Sequence, residues 1–295
     1  MAYIETIDAV NFYNEYYGHK MTDLAKLIFN LNKVNPEKNI VYLAGDSSLD
    51  NKFWLKSDYF QDAVNGYEKI LYPANMLPDV SYHLNSYLKD SNYFVINAAV
   101  EESTIAVREK ELLAHDHFIN FNITNSDILI VSVGGNDIAL KPSVATIFNA
   151  AKIVYMNNLE NIKKGPDVAW GLNHFIELFK DGVEKYILKL IGSIRPKKII
   201  VCMIYYPDEK VTGSWADKTL APLGYNSDPM KLQEAINQIF IHATSKINIK
   251  GSEVIPFPMY KILNGKDTND YVARVEPSNE GGRKLAEAFS KVILS

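Results

Sequence analysis

Short apolar runs recur along this chain, and longer stretches with helical spacing of their apolar residues separate them. A short apolar run bounded by turn residues is typical of a strand that is buried on both faces of a parallel sheet. The five predicted strands are Ile40–Ala44, Tyr93–Ala98, Ile128–Val133, Lys198–Ile204 and Glu253–Phe257. The alternation predicts an α/β fold, a three-layer α/β/α sandwich around a doubly wound, five-stranded parallel sheet.

The stretches between the strands predict helices. They are Met21–Val34, Leu77–Leu88, Thr104–His117, Ser143–Met156, Val168–Ile194, Met230–Ile247 and Glu280–Leu294. No repeat or linker marks a boundary, so we predict one domain over 1–295, with an N-terminal helical extension over about 1–36 and a loop insertion over about 208–228. We expect that insertion and the aromatic-rich segments Asn11–His19 and Phe53–Tyr67 at the rim of a site.

Composition and charge argue against several partners. The chain is 47% apolar and 22% charged, its net charge is −4, and it has no basic cluster, so neither nucleic acid nor an anionic membrane surface is an expected partner. The apolar runs are much shorter than the ~20 residues of a membrane-spanning helix. Met1–Val10 lacks the features of a signal peptide, and we expect a cytoplasmic protein.

No pattern in the sequence predicts a cofactor or a metal. The acidic and histidine residues lack the spacing of a metal site, and neither glycine-containing turn extends to a phosphate-binding loop. The lone cysteine, Cys202, lies in an apolar run and is predicted to be a core residue. The sequence predicts nothing about the oligomeric state.

The first predicted strand stops abruptly at Gly45-Asp46-Ser47. Ligands of such sheets bind beyond the carboxyl ends of the strands. A glycine there permits a tight turn, and a serine after it directs both its hydroxyl and its amide into the crevice. By itself the tripeptide also fits an ordinary turn, because turns are rich in these residues.

The third predicted strand is followed by Gly134-Gly135-Asn136-Asp137. The Asn136 amide can donate a hydrogen bond to an oxyanion that forms near Ser47, and the glycines let the backbone approach a substrate. Together, the turns after the first and third strands resemble the first and third sequence blocks of the SGNH (GDSL-type) serine hydrolases. The resemblance runs along nearly the whole chain and implies a flavodoxin-like α/β/α fold, ester hydrolysis and Ser47 as nucleophile. It also implies three pocket residues, Asp46, Gly135 and Asp137.

The segment after the second predicted strand, Asn97 to Thr104, resembles the second block of that family. Glu102 stands where the family has a glycine whose backbone N–H joins the oxyanion hole. Glutamate retains the N–H, so the donor survives if the residue adopts the backbone angles needed there. Its carboxylate opposes an oxyanion unless the side chain points away. The resemblance therefore implies an oxyanion hole from the amides of Ser47 and Glu102 and the side chain of Asn136.

The C-terminal block departs from the family, whose members commonly carry Asp-x-x-His-Pro before a glycine. Aligned on Pro277 and Gly281, this chain has Ala273 in place of the Asp and Glu276 in place of the His. A carboxylate with its ordinary pKa of about 4.3 is a weak base toward serine, and burial raises that pKa. Two bases fit the sequence: Glu276 with a raised pKa, or a histidine from elsewhere, of which His19 is the least constrained.

Two classes of function follow. The leading hypothesis is a serine ester hydrolase for a small-molecule ester, with a carbohydrate acetyl ester and a lipid ester fitting equally well. The alternative is a catalytically impaired member of the fold that serves as a binding or structural subunit, with the aromatic segments Asn11–Tyr17 and Tyr59–Tyr72 as interfaces. An open pocket around Ser47 favours a hydrolase or a binding protein, and a crevice plugged by the 208–228 insertion favours a structural subunit.

Overall fold

Five parallel strands form the central sheet of the computed structural model, which describes residues 4–55 and 59–295. We number them β1 Asn39–Gly45, β2 Tyr93–Asn97, β3 Ile128–Ser132, β4 Lys198–Met203 and β5 Glu253–Pro258. Residues 1–3 and 56–58, which belong to the predicted N-terminal extension and to the predicted rim segment Phe53–Tyr67, lie outside the described residues.

The strand order is β2-β1-β3-β4-β5, and every neighbouring pair is parallel. This is the flavodoxin-like order, so the predicted fold class is confirmed. The chain runs from β1 to β2 on one side and then crosses to β3 on the other. Side chains at the carboxyl ends of β1 and β3 therefore face one crevice, at the point where such sheets bind ligands.

Helices cover both faces of the sheet. They are α1 Ala9–Asn14, α2 Met21–Val34, α3 Val80–Leu88, α4 Ile105–Lys110, α5 Ala114–Asn122, α6 Gly135–Ala139, α7 Val144–Met156, α8 Leu159–Lys163, α9 Leu172–Glu177, α10 Val183–Ile191, α11 Trp215–Leu220, α12 Pro229–His242 and α13 Asn279–Leu294. Helices α3 and α13 pack on one face, and α2, α5 and α10 pack on the other. Three pairs of two-residue strands lie outside the sheet: Ile7–Asp8 with Leu71–Tyr72, Gln61–Asp62 with Asn75–Met76, and Tyr271–Val272 with Glu276–Pro277.

Four predicted helices differ from the structure by three residues or more. The helix predicted over Leu77–Leu88 begins at Val80, and the helix predicted over Met230–Ile247 ends at His242. The single helix predicted over Thr104–His117 is wrong, because the chain leaves the helix after Lys110 and starts α5 at Ala114. The Asp116 carboxylate causes the new start, since it accepts the backbone N–H of Leu113 at 2.9 Å. The helix predicted over Val168–Ile194 begins only at Leu172, and its middle five residues, 178–182, form a π-helical turn.

A buried ion pair fastens the end of β1 to the helices after β2. The fully buried Arg108 guanidinium donates to the Asp116 carboxylate at 3.0 Å, to the Ser103 hydroxyl at 2.7 Å and to the Gly45 carbonyl at 3.0 Å. The Tyr186 hydroxyl donates to Asp116 at 2.7 Å. Removing one partner of such a pair is costly, because the other charge is left buried without compensation.

We expect Arg108→Met to lower the free energy of unfolding by about 3 to 5 kcal/mol, because Asp116 loses its cation and the Gly45 carbonyl loses a donor. Urea denaturation measures the change. The matched control is Arg283→Met on α13, whose ion pairs are exposed, and its cost is below about 1 kcal/mol. Equal losses in the two variants would contradict the role given to Arg108.

Candidate active site

Ser47 lies in a tight turn directly after β1. The Asp50 backbone N–H donates to the Asp46 carbonyl at 3.0 Å and closes the turn. Glycine is needed at position 45 because a Cβ there would lie 2.0 Å from the Ser132 carbonyl oxygen of β3. Among the described residues, the Ser47 backbone N–H has no hydrogen-bond acceptor. Both this amide and the Ser47 side chain are therefore available to a ligand.

Glu276 follows a tight reversal between the short strands Tyr271–Val272 and Glu276–Pro277. Ala273 and Arg274 make the reversal with left-handed φ angles of 48° and 73°, which residues other than glycine adopt rarely. Pairing with Val272 then fixes the direction in which Glu276 leaves the turn.

The 208–228 insertion holds this reversal in place. The Arg274 side chain is buried and donates to the Asp208 carbonyl at 2.9 and 3.0 Å, to the Asp217 carboxylate at 2.7 Å and to the Asn226 side chain at 2.7 Å. All three partners belong to the insertion. A segment predicted as a rim loop thus supports the turn that carries Glu276.

The buried Glu276 carboxyl lies beside the Ser47 side chain, and its Oε2 atom has no hydrogen-bond partner among the described residues. Burial raises the pKa of Glu276 well above its usual value, and the charges of Asp46 and Asp50 raise it further, while the neighbouring Ser47 hydroxyl opposes the rise. A carboxylate becomes a better proton acceptor as its pKa approaches the working pH. This pair can therefore move a proton from Ser47 to Glu276.

Glu101 is a second buried carboxyl of the site, and the sequence did not single it out. Its exposed fraction is 3%. Burial is the largest cause that raises the pKa of Glu101, and the charges of Glu276 and Asp50 add to it. Neighbouring buried carboxyls do not ionise together readily, so Glu101 and Glu276 titrate as a pair. The only signal was an acidic residue shortly after a buried strand.

The two predicted pocket aspartates have different positions. Asp46 lines the cavity described below. Burial raises the pKa of Asp46 to about 6, although two hydrogen bonds from Ser48 act to lower it. Asp137 lies outside the cavity lining. Its carboxylate accepts the backbone N–H groups of Ile105 at 2.8 Å and Ala106 at 3.0 Å, at the start of α4. Asp137 therefore holds the segment after β2 in place.

The residues predicted for the oxyanion hole lie in the segments that follow β1, β2 and β3. Asn136 lines the cavity beside Gly135, and its amide donates to the Ser103 carbonyl at 3.1 Å, which leaves its second amide hydrogen available. Glu102 has a φ of 57°, so it holds the left-handed conformation that a glycine takes easily. Its N–H has no acceptor among the described residues, although Glu102 itself lies outside the cavity lining.

The Glu102 side chain is engaged away from Ser47. Its carboxylate accepts the Tyr16 hydroxyl at 3.0 Å and pairs with the Lys141 ammonium at 3.3 Å. Tyr16 belongs to the predicted rim segment Asn11–His19. Because Lys141 compensates this charge, the carboxylate does not oppose an oxyanion as strongly as an unpaired one would.

None of the six histidines, all within the described residues, lines the cavity or hydrogen-bonds to Ser47 or Glu276. A ring nitrogen of His19 lies 2.8 Å from the Phe12 carbonyl oxygen, and the two rings stack. Burial, followed by the Lys52 charge, lowers the pKa of His19 well below its usual value. Of the two bases that fit the sequence, only Glu276 adjoins Ser47.

An apolar cavity of about 130 Å³ opens beside Ser47. Its polar end contains Asp46, Ser47, Asn136 and Glu276, and helices α7, α9, α11 and α12 supply its apolar walls. The insertion contributes α11 to one wall and does not plug the crevice. The described residues contain no cluster of three acidic, histidine or cysteine side chains that could hold a metal ion.

No model of a known protein family matches this sequence, and no curated protein matches it. Solved structures of similar architecture do match. One is a carbohydrate acetylesterase from Sinorhizobium meliloti, at 13% identity over 87% of this chain and 99% of that chain, with a TM-score of 0.45. Another is an acetylxylan esterase from Geobacillus stearothermophilus, at 14% identity over 86% of this chain and 94% of that chain, with a TM-score of 0.43. A third is a lipase from a goat rumen metagenome, at 12% identity over 86% of this chain and 97% of that chain, with a TM-score of 0.46. At these identities and TM-scores the likeness is one of architecture alone.

We expect Glu101→Gln to become more stable relative to wild type as the pH rises from about 5 to about 9. The folded pKa of Glu101 lies above the unfolded value, so its contribution to stability is complete below about pH 4.3 and is lost as the pH rises through the folded pKa. Glutamine does not ionise, and the difference in unfolding free energy grows by up to about 1.4 kcal/mol per pH unit.

Urea denaturation at a series of pH values measures this difference. Glu37→Gln is the matched control, because it makes the same exchange at an exposed glutamate, and the pH-dependent difference of Glu101→Gln exceeds that of the control. Parallel stability curves for wild type and Glu101→Gln would show that Glu101 does not titrate as described.

Proposed function

We propose that this chain is a serine ester hydrolase of the SGNH type in which Glu276 replaces the histidine base. One observation carries the proposal: a buried carboxyl with a raised pKa adjoins the Ser47 hydroxyl, at the carboxyl end of β1 and in the wall of an open cavity. Nucleophile and base adjoin in the same way in other serine hydrolases, where the base is imidazole.

The reaction takes two similar steps. The Ser47 oxygen attacks the ester carbonyl carbon while its proton passes to Glu276, and collapse of the tetrahedral intermediate expels the alcohol, which takes that proton. Water then attacks the acyl-enzyme, again losing its proton to Glu276, and the acid leaves as Ser47 recovers the proton. The negative oxygen of each intermediate is stabilised by the N–H groups of Ser47 and Glu102 and by the Asn136 amide.

The cavity walls favour an ester with an apolar acyl group. Beyond the polar end at Ser47 and Glu276, the lining consists almost entirely of aliphatic and aromatic side chains, many of them from four helices. A sugar in that space would lose its hydrogen bonds to water without replacement, whereas an alkyl chain gains by leaving water. Of the two substrates that fit the sequence, we propose a lipid ester whose acyl chain enters the cavity.

A fluorophosphonate probe tests the proposal without knowledge of the substrate. The serine oxygen attacks phosphorus, fluoride leaves, and the base accepts the serine proton. We expect intact mass to show one adduct on wild type and none on Ser47→Ala. Glu276→Gln slows labelling by about 10²-fold or more, because the variant has no base beside the serine.

Glu280→Gln is the matched control for Glu276, since it removes a carboxylate from the same block but at an exposed position of α13, and it labels at the wild-type rate. Labelling of Glu276→Gln at the wild-type rate would exclude Glu276 as the base. An unlabelled wild-type protein would contradict the hydrolase and favour the alternative, a binding protein that uses the same cavity.

A further inference from the structure

Helix α7 is apolar on two faces, although only one of them is covered. Its inner face, with Ala150, Ile153 and Val154, lines the cavity that ends at Ser47. Four residues at helical spacing form an outer face, which we call the α7 stripe: Val144, Ile147, Phe148 and Tyr155, with exposed fractions of 85%, 58%, 61% and 73%. A helix that is apolar all round is normally buried, so this exposed stripe marks an interaction surface.

The α7 stripe adjoins the cavity. Val154, at the edge of the inner face, stands two helical turns after Ile147, at the edge of the stripe, so the two faces meet there. Trp215 also connects the two, since it lines the cavity and is 40% exposed. The Trp170 backbone bonds to the Asn157 side chain just after α7. The cavity that ends at Ser47 is thus lined in part by an exposed aromatic side chain, Trp215.

The chemistry of the α7 stripe fits a lipid surface. The only charged residue of α7 is Lys152, whose ammonium lies 4.4 Å above the Phe148 ring, so the stripe offers little to a charged protein partner. Exposed Trp and Tyr beside aliphatic side chains are typical of helices that lie in a membrane interface. A protein bound here would cover the side of α7 that adjoins the cavity, whereas a lipid surface delivers an acyl chain along it.

We infer that the α7 stripe docks on the surface of aggregated lipid and that acyl chains pass from there into the cavity. The passage of acyl chains into the cavity rests on the proposed function, whereas docking on lipid does not depend on catalysis. No helix among residues 4–55 and 59–295 is long and apolar enough to cross a bilayer, so contact through α7 is peripheral. Because the net charge is −4, burial of apolar side chains drives the docking and anionic lipid is not required.

Vesicle flotation tests the inference with the full chain carrying Ser47→Ala, so that lipid is not consumed. We expect binding to phosphatidylcholine vesicles, with little change when phosphatidylglycerol is added. Adding Phe148→Asp lowers the bound fraction by about tenfold or more, because a charge replaces a ring inserted in the interface. The matched control is Phe121→Asp on α5, where the ring is 81% exposed, and it binds as before. Thermal unfolding checks that both variants fold.

Three outcomes would overturn the inference: no vesicle binding, equal losses in Phe148→Asp and Phe121→Asp, or a dimer that Phe148→Asp dissociates while vesicles stay unbound. The last would identify a second copy of the chain as the occupant. Failure of the proposed function looks different. If vesicles bind but wild type is not labelled by the fluorophosphonate, the proposed hydrolase function is wrong and the docking surface stands. If wild type is labelled but vesicles do not bind, the docking surface is wrong and the hydrolase function stands.

Discussion

The close approach of β1 and β3 at their carboxyl ends is the contact on which the site depends. A Cβ at position 45 would lie 2.0 Å from the Ser132 carbonyl oxygen, so glycine alone lets the strands meet there. The Gly45 carbonyl then accepts the Arg108 guanidinium, which fixes the segment after β2 against the same strand end. Ser47, Glu102 and Asn136 consequently leave three neighbouring strands at one crevice.

Uncompensated burial then gives the site its chemistry. The buried cations of the fold have other partners, since Lys52 pairs with Asp50 at 2.5 Å and Arg108 pairs with Asp116. Among the described residues, no ion pair includes Glu276 or Glu101. Glu276 is buried and has no counter-charge among the described residues, and its pKa rises as a result. The same burial costs stability as the pH rises through the folded pKa values of these carboxyls.

Much of this arrangement could be predicted from the sequence. Strands buried on both faces appear as apolar runs in the sequence. Local motifs then locate the turns with Ser47 and Asn136 and the C-terminal block with Glu276. Glu101 could not be predicted, because its role comes from proximity to Glu276, which lies far along the chain. The break between α4 and α5 depends on one hydrogen bond, from the Leu113 backbone N–H to the Asp116 carboxylate. The cavity could not be predicted either, because its lining comes from helices and loops that lie far apart along the chain.

The rate of Ser47 labelling by a fluorophosphonate, measured from about pH 5 to about pH 10, tests the assignment of Glu276 as base most directly. We predict a rate that rises with pH through a midpoint well above the ordinary glutamate value of about 4.3, because Glu276 must lose its proton to accept that of Ser47. This rise disappears in Glu276→Gln. A midpoint near the ordinary value, or the same rise in Glu276→Gln, would contradict a buried glutamate base and return the search to the histidines.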